Sequence, residues 1–520
     1  MKTTLWVVMA TSALAACGDN LGGGDDSQTP SDVTAVALPQ ATAGAMWVDP
    51  DAYATIPMHV QVTGHASSVS VSIDGAAPIA ATADASGADG AWTAQVDVST
   101  LSESFHQVAA VADHVATKAS LGVGRSGIQF TTFADDLDAA TPRLHRQGDH
   151  LYLTWTDIST GTRVAWLEEI DGAGRAVSAT SRVALVGGAG QEDVLYARTA
   201  LGAHALAVLF QERGGPYKNF FTLVAPDGTP TLAPIALDPA DRFGSSSGDV
   251  VYDGTGGFDV TWRTNSGAGS SDVRWMHVDE ASGAVTGPLV VAQPGMDDPH
   301  GGFDAITNVA IEHAGDASLV AFTRYEYNPS LQLEIARCQV ATITNGAVVH
   351  TELAEAGTGL YWDDDCRIIA DAAGPVLVWA AKSLTSSDDN PPDVLVGARA
   401  ANGELATSRG DGHMMVDAPE SREEPWLVAT TAGALMAWTD ARSYAAGISQ
   451  GQIQLYVAPV AADLTTGTNV LFGHTHFIEQ SGDVHGAASG TNAILTWVDE
   501  RHGGTVLDPR PEIYLETAWQ

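Results

Sequence analysis

Met436-Ala437-Trp438-Thr439-Asp440 is a short alternating segment, typical of a β-strand, in which an aromatic residue is followed by polar positions. Successive aromatic residues of this kind are separated by 55, 52, 60, 57, 59 and 59 positions, so the chain carries an internal repeat of seven copies. The other six copies are Leu153-Thr154-Trp155, Val208-Leu209-Phe210, Val260-Thr261-Trp262, Val320-Ala321-Phe322, Leu377-Val378-Trp379 and Leu495-Thr496-Trp497.

Each copy has the same neighbours. A short strand such as Asp249-Val250-Val251-Tyr252 precedes the aromatic strand, and a third strand such as Gln454-Leu455-Tyr456-Val457 follows it. A turn pair such as Asp227-Gly228 then leads to a weaker fourth strand. Four strands in a repeat of this length are typical of a β-propeller blade. The sequence therefore predicts a seven-bladed β-propeller over residues 125–520.

The two ends of the repeat array are complementary. The last copy ends with a third strand at residues 512–516 and has no residues for a fourth. Residues 128–133 form an isolated strand pattern ahead of the first copy. We expect this segment to complete the seventh blade, which removes an unpaired sheet edge.

The N-terminus indicates export. Residues 1–17 combine Lys2, a short apolar stretch and the ending Leu14-Ala15-Ala16-Cys17, which resembles a bacterial lipobox. The resemblance implies that the Cys17 thiol receives diacylglycerol. The alternative is an ordinary signal peptide with an unrelated cysteine. Residues 18–32 are rich in Gly and Asp and are predicted to be a flexible tether.

The expected location is the bacterial cell envelope, with the outer membrane favoured and the lipid as the only membrane attachment, because no later window holds 18 consecutive apolar residues. Once Cys17 is lipidated, Cys338 and Cys366 remain. We favour a disulfide between them over two free thiols, since the compartment is oxidising. Two thiols are too few for a zinc site.

Residues 33–124 show period-2 alternation broken by Gly and Asp, as in Val69-Ser70-Val71-Ser72-Ile73. The order of a Ser72-Ile73-Asp74-Gly75 turn, a Gly90-Ala91-Trp92 strand and a Phe105-His106 strand resembles bacterial immunoglobulin-like domains. The resemblance implies a β-sandwich that acts as a spacer or adhesive module. The repeats resemble the divergent propellers of bacterial exported lipoproteins. The fold class expected is thus all-β, with an immunoglobulin-like sandwich followed by a seven-bladed propeller.

The charge of the chain limits its partners. The 520 residues contain 63 Asp+Glu and 24 Lys+Arg, a formal net charge of -39. Such a surface repels nucleic acid and anionic lipid headgroups, so no nucleic-acid partner is expected. Cations and positively charged partners stay compatible with it, and a monomer is expected.

Polar residues after the aromatic strands are the first candidate site. The motif Trp438-Thr439-Asp440-Ala441-Arg442 returns in Trp497-Val498-Asp499-Glu500-Arg501 and in part in Trp155-Thr156-Asp157. Either these residues face a ligand groove, or Asp accepts turn N–H groups and pairs with Arg to hold the loop. We favour the structural role. The ligand-face candidates are Asp157, Asp440, Arg442, Asp499 and Arg501.

Oxygen donors near the first strand of each blade are a second candidate. In a propeller these positions lie near one mouth of the central channel, where a ring of oxygens suits Ca²⁺. The alternative, which we favour, is that they are solvated acids. No other cofactor is expected. The positions are Asp193, Asp249, Asn308, Asp365, Glu424 and Asp483.

Two further patterns bear on chemistry. His474-Thr475-His476 places two imidazoles on one side of a strand, a weak signal for a transition metal. Arg263, Arg324 and Arg501 offer the three arginines of a sialidase-like site, but the accompanying sequence boxes are missing and the first strands are predicted to lack a matching Arg. Motifs for nucleophilic, phosphoryl-transfer and zinc-protease chemistry are also missing.

The function predicted is a cell-envelope lipoprotein whose propeller binds a protein or glycan ligand without catalysis. The alternative is a glycoside hydrolase acting on extracellular polysaccharide, in which two carboxylates flank the scissile bond.

Overall fold

All regular elements in the described residues of the computed structural model are β-strands, β1 to β38, which confirms the all-β class. No helix among those residues is long and apolar enough to cross a membrane. The structure describes residues 33–38, 46–48, 54–83, 90–101, 104–123, 128–131, 139–158, 162–172, 174–178, 182–187, 194–212, 217–238, 242–266, 271–293, 305–328, 333–353, 361–371, 374–383, 393–401, 404–405, 413–418, 421–430, 433–440, 454–461, 464, 466–467, 470–472, 484–489, 492–499 and 512–518.

The N-terminal strands form two sheets, with strand orders β1-β3-β7-β6 and β2-β9-β8-β4-β5. Alternate residues of β3 are buried, and they join buried residues of the second sheet in one apolar cluster, as expected for sheets packed face to face. The strands are β1 Ala35–Ala37, β2 Met46–Val48, β3 Thr55–Thr63, β4 Val69–Ile73, β5 Ile79–Ala80, β6 Thr82–Ala83, β7 Ala91–Asp97, β8 Ser104–Ala112 and β9 Val115–Val123.

Two of the motifs quoted for this region are in contact. The Asp74 carboxylate lies 2.5 Å from the His106 imidazole and accepts the Gln107 backbone N–H at 2.7 Å. Asp74 occupies the left-handed backbone region, which suits a turn. The contact therefore fixes the β4–β5 turn to strand β8.

The remaining strands form seven sheets. Each first strand pairs with the aromatic strand of its repeat, and the third and fourth strands follow outward; β31 pairs with β29 in the fifth sheet. Sheets one to three contain β11 Ala140–Gln147, β12 His150–Asp157, β13 Val164–Ile170, β14 Val183–Gly187; β15 Val194–Leu201, β16 Leu206–Glu212, β17 Lys218–Val224, β18 Pro230–Ala236; β19 Arg242–Tyr252, β20 Gly257–Ser266, β21 Ser271–Asp279 and β22 Val285–Ala292.

Sheets four to seven contain β23 Ala305–Ala314, β24 Ala317–Asn328, β25 Leu333–Thr344, β26 Ala347–Leu353; β27 Tyr361–Asp371, β28 Gly374–Ser383, β29 Asp393–Ala401, β30 Glu404–Leu405, β31 His413–Ala418; β32 Ser421–Thr430, β33 Gly433–Asp440, β34 Gln454–Val460, β35 Val470–Leu471; and β36 His485–Ser489, β37 Asn492–Asp499, β38 Glu512–Ala518 with β10 Ile128–Gln129.

The seven sheets have a β-propeller-like arrangement. The first strand of each sheet lies beside the first strand of the next, and β36 of the seventh sheet lies beside β11 of the first. The Leu144 N–H of β11 donates to His485 Nδ1 of β36 at 3.1 Å. Most of the repeat aromatics are fully buried in the apolar layers between sheets, and five of them are Trp155, Trp262, Trp379, Trp438 and Trp497.

The outer strand of the seventh sheet comes from ahead of the first sheet. β10 pairs antiparallel with β38, with Ile128 opposite Leu515 and Gln129 opposite Tyr514. The contact continues past β10, where the Phe130 N–H donates to the Ile513 carbonyl at 2.7 Å and the Ile513 N–H donates to Thr131 Oγ1 at 2.7 Å. Residues from both ends of the repeat array thus share one sheet.

The predicted disulfide is confirmed. Cys338 of β25 and Cys366 of β27 are bonded, and both residues are buried. Because β25 belongs to the fourth sheet and β27 to the fifth, the bond joins two neighbouring sheets through their packed interior.

Candidate binding site in the central channel

A cavity of about 290 Å³ lies between the first strands, and each of the seven sheets contributes lining residues to it. It is therefore the central channel of the propeller-like domain. Its volume is at the lower end of the range of small-ligand sites, roughly 300 to 1,000 Å³. The lining combines apolar residues such as Leu144 and Ile368 with charged and aromatic ones such as Arg143, Asp249 and Trp426.

Strand register places one residue of each sheet at the same level of the channel. In every sheet this residue pairs with the residue immediately before the repeat aromatic, as Arg143 pairs with Thr154 and Trp426 with Ala437. We call these seven residues the channel layer. It consists of Arg143, Arg198, Asp249, Ala310, Arg367, Trp426 and His485.

Trp426 is the aromatic centre of this layer. Its ring lies 4.0 Å from the His485 ring, centroid to centroid, and the Arg143 guanidinium carbon lies 5.0 Å from its centroid. The indole N–H donates to the Gly486 carbonyl at 3.4 Å. These contacts fix the indole in a half-buried position, so the layer holds a rigid aromatic surface beside charged groups.

The two histidines of the channel are neutral at physiological pH. Burial lowers the pKa of His485 well below its usual value, and the positive charges of Arg143, Arg198 and Arg367 act in the same direction. Burial, assisted by Arg143, lowers the pKa of His145 to about 3. His145 Nε2 lies 2.7 Å from Thr199 Oγ1. That arginines of three sheets act on His485 means that their charges converge on the channel.

Two carboxylates line the same cavity. Asp249 of the third sheet accepts the Val250 N–H at 3.0 Å and the Ile311 N–H at 3.4 Å, which ties it to the fourth sheet. Glu312 lies on β23 and accepts the His313 N–H at 2.9 Å. Glu312 does not belong to the channel layer. It lies two residues beyond Ala310 on the same strand, one layer further along the channel.

The predicted oxygen-donor ring does not form one layer. Asn308, Asp365 and Glu424 each lie two residues before the channel layer, at β-bulges of their strands, whereas Asp249 lies in the layer itself. Each bulge adds a residue to one strand. Residues at equivalent positions of the sequence repeat therefore do not all lie at the same level of the channel. Asp193 and Asp483 lie outside the described residues. Within the described residues no group of three or more His, Cys, Asp or Glu side chains could hold a metal ion.

The structure describes three of the five ligand-face candidates. Asp157 is fully buried, lies 2.6 Å from an Arg182 guanidinium nitrogen and accepts the Trp155 indole N–H at 2.7 Å. This is the structural arrangement that the sequence favours, although the Arg comes from residue 182. Asp440 and Asp499 end β33 and β37 at the position equivalent to Asp157. Arg442 and Arg501 lie outside the described residues, as do His474 and His476.

The expectation that the first strands lack arginines is wrong. Arg143, Arg198 and Arg367 lie on β11, β15 and β27, all first strands. The arginines named from the sequence lie elsewhere: Arg263 is on the second strand of its sheet and donates to the Ile306 carbonyl at 2.6 Å. The sequence does contain a signal for the channel layer. The channel-layer residue of each repeat stands 12 positions before the repeat aromatic in six repeats and 13 positions before it in the third.

Fold and site together define a class: an all-β protein with a propeller-like domain and a polar, aromatic central channel. No protein-family model and no curated protein matches the chain. The chain has distant likenesses among solved structures.

Three of these structures are carbohydrate-active enzymes. An ulvan lyase of polysaccharide lyase family PL25 is 11% identical, with a TM-score of 0.43, covering 75% of this chain and 96% of its own. A GH93 α-L-arabinofuranosidase of Fusarium graminearum with arabinobiose is 8% identical, with a TM-score of 0.42, covering 62% and 92%. A thermostable family-43 glycoside hydrolase is 12% identical, with a TM-score of 0.31, covering 53% and 96%. Likeness at this distance says nothing about the ligand of this chain.

Proposed function

We propose that the protein is an exported lipoprotein whose propeller binds a glycan, with one saccharide unit held in the central channel. The observation that carries the proposal is the channel layer, in which polar and aromatic residues of six sheets share one register level and four of them, Arg143, Asp249, Trp426 and His485, line the cavity. A saccharide needs both planar polar groups for its hydroxyls and an aromatic surface for its C–H face.

Binding to an array of oligosaccharides tests the proposal directly. Trp426→Ala removes the aromatic surface and is expected to abolish binding of any glycan that the unmodified protein retains. Tyr217→Ala is the matched control, because Tyr217 is an exposed aromatic residue outside the channel and its loss leaves binding unchanged. A protein that retains no glycan, or a Trp426→Ala variant that binds as well as the control, contradicts the proposal.

Glycoside hydrolysis is the second candidate function. The observation that favours it is that Asp249 and Glu312 line the same cavity, since hydrolysis requires two carboxylates flanking the bond. Incubation with each retained glycan tests it: released reducing ends that disappear in both Asp249→Asn and Glu312→Gln favour an enzyme. Glycans recovered intact favour a binding module.

The remaining parts of the proposal concern how the propeller is anchored to the membrane and held away from it. Cys17 carries the lipid, residues 18–32 are the tether, and residues 33–124 form an immunoglobulin-like spacer that holds the propeller away from the outer membrane. Cys17→Ala is expected to release the protein from the membrane fraction, and retention of that variant would contradict the anchor. A calcium ion at the acidic positions stays a prediction, tested by whether Ca²⁺ raises the unfolding temperature and a chelator reverses the rise.

A further inference from the structure

Arg198 differs from the other charged residues of the channel layer. It is half-buried on β15, and its guanidinium carbon lies 5.8 Å from the centroid of the Tyr196 ring. Among the residues that the structure describes, no hydrogen bond or ion pair satisfies this guanidinium. A half-buried cation without a counter-ion is costly, because burial removes hydration that nothing replaces.

A second orphan group lies beside Arg198. The Tyr196 side chain is 5% exposed, and its hydroxyl has no hydrogen-bond partner. Tyr196 precedes Arg198 by two positions in a regular part of β15, so both side chains leave the same face of the strand. The hydroxyl lies near the third sheet, 3.2 Å from where a Cβ on Gly248 would be. Burial raises the pKa of Tyr196, so the hydroxyl keeps its proton and remains a donor.

Among the described residues, no neighbour of Arg198 in the layer forms a hydrogen bond or an ion pair with it. On one side is Arg143, and on the other is Asp249, whose two oxygens accept backbone N–H groups of Val250 and Ile311. Arg367 is a third guanidinium of the layer. Arg143 and Arg367 have further contacts of their own, so Arg198 is the residue on which the argument rests.

We propose that Arg198 binds a carboxylate of the ligand, so that the glycan held in the channel is an acidic polysaccharide containing uronic acid. A carboxylate accepts two parallel N–H bonds from a guanidinium, which matches the group that Arg198 offers. The inference rests on the proposed function, since it names the class of glycan that the same channel binds.

The experiment compares two ligands that differ only in charge. Tetragalacturonate and its carboxyl-reduced counterpart are titrated calorimetrically into the full chain, purified in detergent. The acidic ligand is expected to bind about 10- to 100-fold tighter, the range for a hydrogen-bonded charged group. Arg198→Gln is expected to remove most of that difference, whereas Arg175→Gln, at an exposed turn, keeps it.

Each result decides between the two proposals. Equal binding of both ligands overturns the acidic-glycan inference and leaves glycan binding standing, whereas failure of both ligands to bind counts against both proposals. Tyr196→Phe is a control for the surroundings of Arg198, because its hydroxyl is buried and has no hydrogen-bond partner, so that its removal does not destabilise the fold. This variant is expected to keep the preference for the acidic ligand, and loss of the preference in it contradicts the assignment to Arg198.

Discussion

Asp259 is a single buried carboxylate that holds two imidazoles. Its oxygens lie 3.0 Å from His277 Nδ1 and 3.0 Å from His313 Nδ1, and it accepts the Ser318 hydroxyl at 2.7 Å. Asp259 and His277 belong to the third sheet, and His313 and Ser318 to the fourth. Burial alone raises the pKa of Asp259, but these hydrogen bonds outweigh it and bring the pKa down to about 2.

The same contacts raise the pKa of both histidines, chiefly through the hydrogen bond to Asp259. Asp253 and Asp279 add to the rise at His277, and Asp253 and the Gly315 carbonyl add to it at His313. A histidine with a raised pKa stabilises the fold below the unfolded value of 6.5, and this contribution is lost as pH rises through the folded value. The carboxylate contribution is present above 3.8 and is lost as pH falls towards about 2.

We therefore expect Asp259→Asn to destabilise the protein most between about pH 4 and 6.5. The loss at pH 6 is about 1 to 3 kcal/mol, because buried donors are left without a charged acceptor. Unfolding temperatures of the variant and the unmodified protein across pH 4 to 9 measure it. The gap should narrow above neutral pH. Asp227→Asn, at an exposed turn, is the control, and a gap that stays constant with pH would show that the imidazoles are not charged.

For single residues, the sequence predicts the kind of contact that a side chain makes better than it predicts the residue contacted. The structural role favoured for Asp157 agrees with its burial against Arg182, but Arg182 is 25 positions away, and its side chain lies over Trp155 and Trp166. The channel arginines are missed because an Arg within an alternating strand has the pattern of a solvent-facing residue. Only the arrangement of seven strands around an axis turns that face towards a cavity.

Elements of neighbouring sheets are joined by specific contacts as well as by apolar packing. Glu280 follows β21 of the third sheet, and its carboxylate accepts the His204 and Ala205 N–H groups at 2.7 Å and the Ala203 N–H at 3.3 Å. These residues form the hairpin between β15 and β16 of the second sheet. One side chain thus satisfies three donors of a turn in another sheet.

Glu280→Ala is expected to lower the free energy of unfolding by about 1.5 to 3 kcal/mol, since a charged acceptor is lost and one buried and two part-buried turn donors lose it. Glu280→Gln keeps one carbonyl oxygen and should lose less. Chemical denaturation followed by tryptophan fluorescence measures both variants. Gly202→Ala is a complementary test, because its Cβ would come within 2.5 Å of a Glu280 oxygen and of the Phe258 ring. Equal stability of all three variants and the unmodified protein would contradict the role of this clamp.

The disulfide joins the fourth and fifth sheets over a sequence separation of 28 residues. In the chain-entropy description such a loop stabilises the fold by about 3 to 4 kcal/mol. We expect the double substitution Cys338→Ala and Cys366→Ala to lower the unfolding free energy by an amount in that range. Reductant should destabilise the unmodified protein similarly and leave the double variant unaffected. An effect of reductant on the double variant would point to another cause.

Strands are predictable from this sequence because alternation and the repeat aromatics are local signals. The register between strands is less predictable than the strands themselves. A bulge lies in the first strand of each of the first six sheets, in the described part of the chain, and it depends on the partner strand. Asp249 and Asn308 both stand just ahead of an apolar run in the sequence. Asp249 nevertheless lies in the channel layer, whereas Asn308 lies two residues before it.

For the whole molecule, the net charge of -39 constrains how an acidic ligand reaches the channel. Repulsion from the outer surface acts over about 8 Å at physiological salt, the Debye length, and it slows association more than it weakens contacts formed inside. The guanidiniums of the channel layer act where water is partly excluded, so their attraction is screened less. An acidic exterior is thus compatible with a channel selective for a carboxylate.

The propeller-like domain holds its two ends together through a few residues, and its cooperativity depends on them. Thr131 is buried, and its hydroxyl accepts the Ile513 N–H at 2.7 Å. Thr131→Ala leaves that donor unsatisfied and should lower the unfolding free energy by about 1 to 3 kcal/mol, whereas Thr131→Ser keeps the acceptor.

The buried tryptophans of the first, third, fifth, sixth and seventh sheets report on the whole domain. If β10 and β38 join the first and last sheets into one cooperative unit, Thr131→Ala lowers one common transition temperature, as seen by fluorescence and by far-ultraviolet circular dichroism. Apolar layers run from sheet to sheet, so loss at the junction removes support from both flanking sheets at once. A seventh sheet that melts separately, with the other sheets unchanged, would show instead that the junction only covers an edge.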